Sequence, residues 1–194
     1  MNRSAIFLDR DGVINRNRAE HVKSWGEFCF LSGALDALRQ LATLAWPVVV
    51  VSNQSAIGRG LVNHHTVDRI NARMVASVCG AGGRIDDVLY CPHRPDEGCD
   101  CRKPQPGLLL AAADRLGLDL ARSFLIGDAE SDVLAAHAVG CQPVLVTTGR
   151  GVEQIILLQQ HGVDGFHVAE DLSEAVRWIL GQIKAEANRQ VRPP

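Results

Sequence analysis

The stretch AIFLDRDGVIN, residues 5 to 15, decides the fold class of this 194-residue chain. Its first four residues are apolar and are followed directly by Asp9, and a short apolar run of this kind predicts a β-strand that is buried on both faces. Asp11 comes two positions later, and Gly12 then allows the chain to turn sharply. The stretch therefore predicts a buried strand with acidic residues at its carboxyl end.

Short apolar runs recur along the chain, with helix-period stretches between them. We predict strands at residues 5–8, 48–51, 88–90, 124–126 and 144–146, with a weaker sixth at 166–168. We predict helices at residues 33–44, 65–78, 108–116, 131–139, 152–161 and 172–184. Strands that alternate with helices favour a parallel sheet with right-handed crossovers, so the predicted fold class is α/β, a doubly wound three-layer sandwich.

The length and composition favour a single domain. A chain of 194 residues with 46% hydrophobic residues can bury roughly 70% of its unfolded surface in one core. We expect one domain over residues 1–184. Residues 185–194 are polar and end in two prolines, which predicts a frayed tail.

Charge and hydropathy exclude several classes of partner. A net charge of −2 supplies no field that would gather nucleic acid or an acidic membrane surface. The apolar run at residues 5–8 is shorter than the ~7 to 15 residues of a signal-peptide core. The longest apolar stretch, residues 41–51, contains Pro47 and falls short of the ~20 residues that a bilayer requires. We therefore expect a soluble, cytoplasmic monomer that binds a small molecule.

Polar groups follow three of the predicted strands. They are Asp9 and Asp11 after the first strand, Ser52 and Asn53 after the second, and Asp128 and Asp132 after the fourth. Each pair alone is compatible with an ordinary turn or helix cap. In a doubly wound sheet, however, the carboxyl ends of the strands meet at one edge, where ligands bind. Clustered carboxylates require a cation, and Mg²⁺ prefers such oxygen ligands together with phosphate.

A second cluster lies in the stretch YCPHRPDEGCDCRKP, residues 90 to 104. Cys91, His93, Cys99 and Cys101 offer three thiolates and an imidazole, a set that suits tetrahedral Zn²⁺. Four protein ligands leave no open position, so we interpret this zinc as structural. A disulfide, a redox pair at Cys99 and Cys101, and reduced cysteines packed in a loop are the alternatives. We call residues 91–104 the Cys/His loop.

The remaining cysteines have no ligand spacing. Cys29, Cys79 and Cys141 lie in apolar or helical surroundings, so we predict that they are small buried hydrophobic residues.

The four strand-end segments DRDG, SNQS, CRKP and GDAESD resemble, in order, the motifs of the haloacid dehalogenase-like (HAD) phosphohydrolases. The resemblance implies that Asp9 is the nucleophile and forms an aspartyl-phosphate. It implies that Asp11 protonates the leaving alcohol and then activates water. Ser52 and Lys103 would hold the phosphoryl oxygens.

The same resemblance implies a magnesium site. Asp9, the main-chain carbonyl of Asp11, and Asp128 would ligate Mg²⁺, with Asp132 behind them. The Cys/His loop would then fix the chain so that Arg102 and Lys103 point at the phosphate. The segment between residues 12 and 33 leaves no room for a large cap domain.

Within this superfamily, the chain resembles the D-glycero-D-manno-heptose 1,7-bisphosphate 7-phosphatases, a zinc-carrying branch close to the histidinol phosphatases. The segments that carry this resemblance are DRDGVIN, SNQSAIGRG, CPHRPDEGCDCRKP and GDAESD. The resemblance implies removal of the 7-phosphate in the biosynthesis of nucleotide-activated heptose. Arg102 would recognise the second phosphate or the sugar. The pocket residues it implies are Asn53, Gln54 and Ser55, with Arg18 and Glu20 in a substrate loop. Ala56 and Ala129 depart from the pattern, where glycine and a basic or polar residue are usual.

Three alternatives remain open at this stage. A histidinol-phosphate phosphatase, or a phosphatase for another small molecule, would use the same catalytic residues. A phosphotransferase or mutase would have to keep water out, and no cap is present in the sequence to do so. A zinc-dependent interaction module would need the Cys/His loop but none of the acidic residues.

Overall fold

The computed structural model describes residues 3–191 and contains one six-stranded parallel sheet. The strands are β1 Ile6–Leu8, β2 Val48–Asn53, β3 Asp87–Cys91, β4 Phe124–Gly127, β5 Gln142–Val146 and β6 His167–Ala169. Their spatial order is β3-β2-β1-β4-β5-β6. All six predicted strands are therefore present, and the predicted doubly wound α/β fold is confirmed.

Six α-helices cover the two faces of the sheet. They are α1 Ala34–Leu41, α2 His64–Gly80, α3 Gly107–Leu116, α4 Glu130–His137, α5 Gly151–Gln160 and α6 Leu172–Val191. Helices α1, α2 and α6 contribute to one hydrophobic cluster, and α3 and α4 contribute to a second cluster on the other face. Helix α5 packs against α4 and β5. The result is a three-layer sandwich.

The central strands are buried on both faces because their apolar residues alternate between the two layers. In β1, Ile6 and Leu8 point into the cluster on the α1 side, whereas Phe7 points into the cluster on the α3 side. In β2, Val48 and Val50 follow the first pattern, and Val49 and Val51 follow the second. Complete burial of such a side chain contributes about 1.5 to 3 kcal/mol, which is why a continuous apolar run specifies a central strand.

Helix ends differ from the predicted ones by a few residues, for local reasons. Helix α1 ends at Leu41 rather than at residue 44, because Thr43 and Leu44 form tighter bonds to carbonyls three residues back. Helix α2 begins at a cap in which Asn63 Oδ1 accepts a hydrogen bond from Thr66 N at 2.9 Å.

The carboxyl-terminal helix is longer than predicted. Helix α6 continues to Val191, so residues 185–191 are helical where the sequence suggested a frayed tail. Residues Ala185, Glu186 and Arg189 are good helix formers, which supports this extension. Residues 192–194 lie outside the described residues, and the domain boundary at residue 184 stays a prediction.

The segment between β1 and α1 is a folded loop. It contains a short 3₁₀ turn at Trp25–Glu27, and Trp25 stacks on Phe28 with ring centroids 4.9 Å apart. Phe28 in turn meets the edge of Phe30 at 5.0 Å. Within residues 3–191 this segment forms no additional sheet or α-helix, in agreement with the expected absence of a large cap.

One prediction about the cysteines was wrong. Cys141 is buried as expected, but Cys29 and Cys79 are exposed. Cys79 lies in the last turn of α2 beyond the buried Val78, and Cys29 lies between Phe28 and Phe30 with its side chain outward.

None of the described helices combines the length and the apolar character that crossing a bilayer would require.

Candidate active site

The register of the central strands brings the predicted site residues to one edge of the sheet. Leu8, the last residue of β1, pairs with Val50 of β2 and with Ile126 of β4. The chain order reverses between β1 and β4, and this is the position where doubly wound sheets bind ligands. An open pocket of about 460 Å³ lies there. Its lining includes Asp9, Asp11, Ser52, Asn53, Gln54, Ser55, Arg102, Lys103, Asp132 and Arg150.

Lys103 lies at the centre of this site with its ammonium group buried. Its Nζ donates to Asp9 Oδ1 at 2.9 Å and to the carbonyl of Val51 at 2.7 Å, and it forms an ion pair with Asp132 Oδ1 at 2.5 Å. Burial opposes the charge on Lys103, but the carboxylates of Asp132 and Asp9 outweigh burial and raise the pKa of Lys103 above its usual range. The lysine is therefore a fixed cation beside Asp9.

The main chain of Lys103 is held by the side chain of Asn53. Asn53 Nδ2 donates to the carbonyl of Lys103 at 3.0 Å, and Lys103 N donates to Asn53 Oδ1 at 3.1 Å. This paired contact joins the end of β2 to the end of the Cys/His loop. The structure thus places Asn53 at the pocket, as predicted, but commits its amide to a protein contact.

Asp128 is fully buried between two glycine-containing turns. Its Oδ2 accepts a hydrogen bond from Arg150 N at 2.9 Å, whereas its Oδ1 accepts none from the described residues. A Cβ atom at Gly12 or at Gly149 would collide with the Asp128 carboxylate. Both glycines also have positive φ angles, of 93° and 62°, so glycine is needed at both turns.

Asp9, Asp128 and Asp132 place one carboxylate oxygen each within 4.8 Å of one another. Burial and the neighbouring negative charges raise the pKa of Asp128 to about 7. Burial likewise raises the pKa of Asp9 to about 6, although Lys103 partly opposes this effect. Lys103 pairs with Asp9 and Asp132, and the exposed Arg150 guanidinium lies 3.8 Å from Asp128 Oδ1. Three clustered carboxylates still outnumber these two cations, so a divalent cation would offset the remaining charge. Asp128 Oδ1 accepts no hydrogen bond from the described residues, and this atom together with the all-oxygen donor set fits Mg²⁺.

Asp11 faces a different environment, although it is only two residues from Asp9. Its Oδ1 accepts from Asn15 Nδ2 at 2.8 Å, and its Oδ2 accepts from Gln54 Nε2 at 2.8 Å and from Arg10 Nη2 at 2.8 Å. Burial alone would raise the pKa of Asp11, but the Arg10 charge and these hydrogen bonds lower it. The two neighbouring carboxyl groups therefore lie in different surroundings: Asp9 faces Lys103, whereas Asp11 faces the donors of Asn15, Gln54 and Arg10.

Most of the other predicted catalytic and substrate residues also lie at the pocket. Ser52 is buried, and its Oγ accepts from Gln54 Nε2 at 2.9 Å. Arg102 lines the pocket, and its Nη1 donates to the carbonyl of His93 at 3.3 Å. Arg18 lines the pocket together with Asn17 and His21, whereas the pocket lining does not include Glu20.

The two departures from the family pattern lie beside these residues. Ala56 and Ala129 are both buried. Ala129 precedes α4, where its backbone N–H donates to Asp132 Oδ2 at 3.1 Å.

The Cys/His loop gathers its four predicted ligands. Cys91 Sγ lies 3.4 Å from His93 Nδ1 and 3.6 Å from Cys99 Sγ, and Cys101 Sγ lies 3.6 Å from Cys99 Sγ and 3.3 Å from His93 Nδ1. A tetrahedron with Zn–S bonds of about 2.3 Å separates two sulfurs by about 3.8 Å, so the spacing fits zinc. The sulfur atoms of Cys91, Cys99 and Cys101 are 3.6 Å apart in neighbouring pairs, well beyond the ~2.05 Å of a disulfide bond, so this geometry does not match the disulfide alternative.

The sequence reasoning missed three residues of the site: Arg10, Asn71 and Arg150. Arg150 follows β5 in the segment TTGR, so collecting polar residues after the fifth strand as well would have found it. Arg10 lies between the two predicted aspartates, and only its burial reveals its role. Asn71 lies on α2, 61 residues from Arg10, and sequence spacing gives no signal for that contact.

Comparisons with known proteins agree with this geometry. A family model described as HAD-hydrolase-like matches residues 100–175. A D-glycero-beta-D-manno-heptose-1,7-bisphosphate 7-phosphatase from Pseudomonas aeruginosa is 42% identical over 155 residues, which cover 80% of this chain and 87% of the relative. The enzyme of the same name from Bordetella bronchiseptica is 41% identical over 176 residues, which cover 90% of this chain and 97% of the relative.

Solved structures give the same result. The crystal structure of a D,D-heptose 1,7-bisphosphate phosphatase from B. bronchiseptica, complexed with magnesium and phosphate, superposes with a TM-score of 0.86 at 40% identity. The alignment covers 92% of this chain and 99% of that chain. The corresponding enzyme from Burkholderia thailandensis superposes with a TM-score of 0.70 at 32% identity, over 92% of this chain and 99% of that chain.

Proposed function

The chain belongs to the D-glycero-D-manno-heptose-1,7-bisphosphate 7-phosphatase family of HAD-like hydrolases, and we propose that it removes the 7-phosphate of this sugar bisphosphate. It is a phosphoric monoester hydrolase by family. The relatives described above are named for the beta anomer, so we propose the beta anomer as substrate. We also propose that it serves the biosynthesis of nucleotide-activated heptose.

One observation carries the proposal. Asp9 and Lys103, 94 residues apart in the chain, meet at 2.9 Å at the bottom of an open pocket, beside the buried carboxylate of Asp128. Phosphoryl transfer requires in-line positioning and neutralisation of the charge on the oxygens. This arrangement offers a nucleophile, a fixed cation and an oxygen-rich metal site within one pocket.

In the proposed first step, a carboxylate oxygen of Asp9 attacks phosphorus. A phosphorus–oxygen bond to Asp9 forms as the bond to the sugar oxygen breaks, and Asp11 gives its proton to the departing oxygen. Lys103 and Ser52 hold the phosphoryl oxygens during the transfer. The product of this step is heptose 1-phosphate with an aspartyl-phosphate on the protein.

In the proposed second step, Asp11 accepts a proton from water. The water oxygen forms a bond to phosphorus as the bond to Asp9 breaks, which releases inorganic phosphate and restores the Asp9 carboxylate. The hydrogen bonds that Asp11 accepts from Asn15 and Gln54 favour its ionised form, which this step requires.

The metals have separate proposed roles. Asp9, Asp128 and the main-chain carbonyl of Asp11 would hold Mg²⁺, with Asp132 behind them. When bound, Mg²⁺ would neutralise charge on the phosphoryl oxygens. Cys91, His93, Cys99 and Cys101 would hold a structural Zn²⁺ that fixes the Cys/His loop.

A steady-state comparison of substrates tests the proposal. We expect kcat/KM in the presence of Mg²⁺ to be highest for the beta anomer of the heptose bisphosphate, lower for the alpha anomer, and lowest for histidinol phosphate. If kcat/KM is higher for histidinol phosphate than for both anomers of the heptose bisphosphate, the proposed substrate is wrong and histidinol phosphate takes its place.

A further inference from the structure

Arg10 is a buried cation that the chemistry proposed above does not use. Its side chain is 1% exposed, and it is the largest of the fully buried side chains. Charged residues are almost never buried to this extent unless they are paired. The contacts of the Arg10 side chain therefore show what its charge is paired with.

Three of the four polar contacts of the Arg10 side chain are made to Asp11 or to Gln54, which itself contacts Asp11. Nη2 and Nε donate to Asp11 Oδ2 at 2.8 Å and 3.2 Å. Nη2 also donates to Gln54 Oε1 at 2.9 Å, and the Nε2 of that same glutamine donates to Asp11 Oδ2 at 2.8 Å. A planar guanidinium with several fixed donors sets the orientation of a carboxylate as well as its charge.

Asn71 holds the far side of the guanidinium. Arg10 Nη1 donates to Asn71 Oδ1 at 3.0 Å, and Asn71 is buried in the middle of α2. The neighbouring inward residues of that helix, Ile70 and Met74, are apolar and belong to the hydrophobic core. A polar amide at such a position costs stability unless it is hydrogen-bonded, so its contact with Arg10 accounts for its presence.

We propose that Arg10, braced by Asn71, is a positioning residue that holds the Asp11 carboxylate in the orientation needed for proton transfer. The inference rests on the proposed role of Asp11 as acid and base. A buried ion pair is weak evidence for stability, since apolar residues of similar volume often stabilise as well. The geometry points instead to orientation, because Asp11 alone among the three partners exchanges protons in the proposed steps.

The test compares two substrates whose leaving groups differ. The sugar oxygen of the heptose bisphosphate needs a proton as it departs, whereas p-nitrophenol departs from p-nitrophenyl phosphate as a stable anion without one. For both substrates kcat/KM reports the steps up to the first phosphoryl transfer. The second step needs Asp11 as base in either case.

The variants are Arg10→Met and Asn71→Leu, with Asp11→Asn as the reference. General acid–base catalysis contributes about 10²- to 10⁴-fold, which sets the loss expected of the reference variant on the bisphosphate. We expect Arg10→Met to lower kcat/KM on the bisphosphate about ten- to a hundredfold, and on p-nitrophenyl phosphate less than about threefold. For Arg10→Met with p-nitrophenyl phosphate, kcat should fall because the second step still needs Asp11 as base. A burst of p-nitrophenol equal to the enzyme concentration should therefore precede slow turnover.

Asn71→Leu keeps the Arg10–Asp11 pair and removes only the hydrogen bond between Asn71 and Arg10. We therefore expect kcat/KM to fall selectively on the bisphosphate, but by less than in Arg10→Met. Asn71→Asp retains an acceptor for Arg10 and should restore activity. The exposed Arg69 lies on the same helix, so Arg69→Met is a control that should match the wild type on both substrates.

The results separate the possible failures. If Asp11→Asn discriminates between the substrates but Arg10→Met and Asn71→Leu lower both equally or not at all, the positioning role is overturned and the role of Asp11 stands. If Asp11→Asn itself does not discriminate, Asp11 is not the acid and the proposed mechanism falls together with this inference.

Discussion

At the scale of single residues, the site is a set of carboxylates that differ in what surrounds them. Asp9 and Asp128 are buried together, and burial raises their pKa values to about 6 and about 7. Asp11, two residues from Asp9, is surrounded by donors that lower its pKa. The sequence predicted which side chains meet, but the opposite directions of these pKa values come from burial and partners, which only the fold supplies.

Replacement of the proposed nucleophile separates catalysis from stability. An amide at position 9 attacks phosphorus poorly but still accepts a hydrogen bond from Lys103, so we expect Asp9→Asn to lose more than about 99% of turnover. The change also removes one of three clustered negative charges, so its Tm without added Mg²⁺ should not fall below that of the wild type. Steady-state kinetics and thermal unfolding check both statements, and near-normal kcat would contradict the aspartyl-phosphate.

Asn53 was predicted from the family resemblance to bind substrate, and its contacts favour a different role. Both polar atoms of its amide bond the main chain of Lys103. Loss of buried hydrogen bonds costs about 1 to 3 kcal/mol, so we expect Asn53→Ala to lower kcat/KM about tenfold. The loss should be equal for the heptose bisphosphate and for a simple monophosphate ester. A loss confined to the bisphosphate would support substrate binding by Asn53 instead.

For Arg102 we predict a loss that differs between the two substrates. Its guanidinium lines the pocket, where it can grip a second phosphate or sugar hydroxyls with two donors. We expect Arg102→Ala to cost about ten- to a hundredfold more in kcat/KM on the bisphosphate than on a simple monophosphate ester, which corresponds to about 1.5 to 3 kcal/mol. Arg94 of the same loop pairs with Asp96 at 3.0 Å on the surface, so Arg94→Ala is the matched control. Equal losses on both substrates would remove Arg102 from substrate recognition.

At the scale of elements, the Cys/His loop joins β3 to α3 and delivers Lys103 to the site. Its beginning is fixed by β3, which includes Cys91, and its end is fixed by the contact between Asn53 and Lys103. The proposed zinc ligands are Cys91 at the first of these points and His93, Cys99 and Cys101 between the two. Loop order and catalytic geometry are therefore coupled through a few residues.

A single ligand replacement tests this coupling. Zinc binding is worth on the order of 10 kcal/mol in small zinc-finger peptides, so we expect Cys99→Ser to lower the bound zinc and loosen the loop. Activity should fall as Lys103 loses its fixed position. Cys29→Ser and Cys79→Ser change exposed thiols outside the loop and should keep both zinc and activity. Elemental analysis and kinetics measure the outcome, and a zinc-free wild-type protein with full activity would contradict the structural role.

The sequence patterns predicted the strands more accurately than the helix ends. Six short apolar runs predicted six strands. The signal is strongest for the central strands β1, β2 and β4, which are buried on both faces and therefore read as continuous apolar runs, and weakest for the partly exposed edge strand β6. Helix ends were less accurate, since the last turn of α1 depends on local bonds such as that of Thr43 Oγ1 to Gln40 O at 2.7 Å. The exposure of Cys29 was missed because neighbouring apolar residues say nothing about which way one side chain turns.

At the scale of the whole molecule, segments that are distant in sequence meet at one edge of the sheet, from Asp9 to Arg150. Strand order places β1 between β2 and β4, so Asp9 follows a strand whose neighbours lead to Ser52 on one side and to Asp128 on the other. The sequence predicted this edge because doubly wound topology leaves few arrangements. It did not predict the bracing contact from Asn71 to Arg10, which depends on how α2 packs. The monomeric state stays a prediction.

The most direct test of the account is the position of the phosphate that is released. The wild-type protein, loaded with Mg²⁺, is incubated with the beta anomer of D-glycero-D-manno-heptose 1,7-bisphosphate, and the phosphorus resonances are followed by NMR. We predict loss of the 7-phosphate signal, growth of inorganic phosphate and retention of the 1-phosphate, with no change for Asp9→Asn. Loss of the 1-phosphate, or no release by the wild type, would contradict the account.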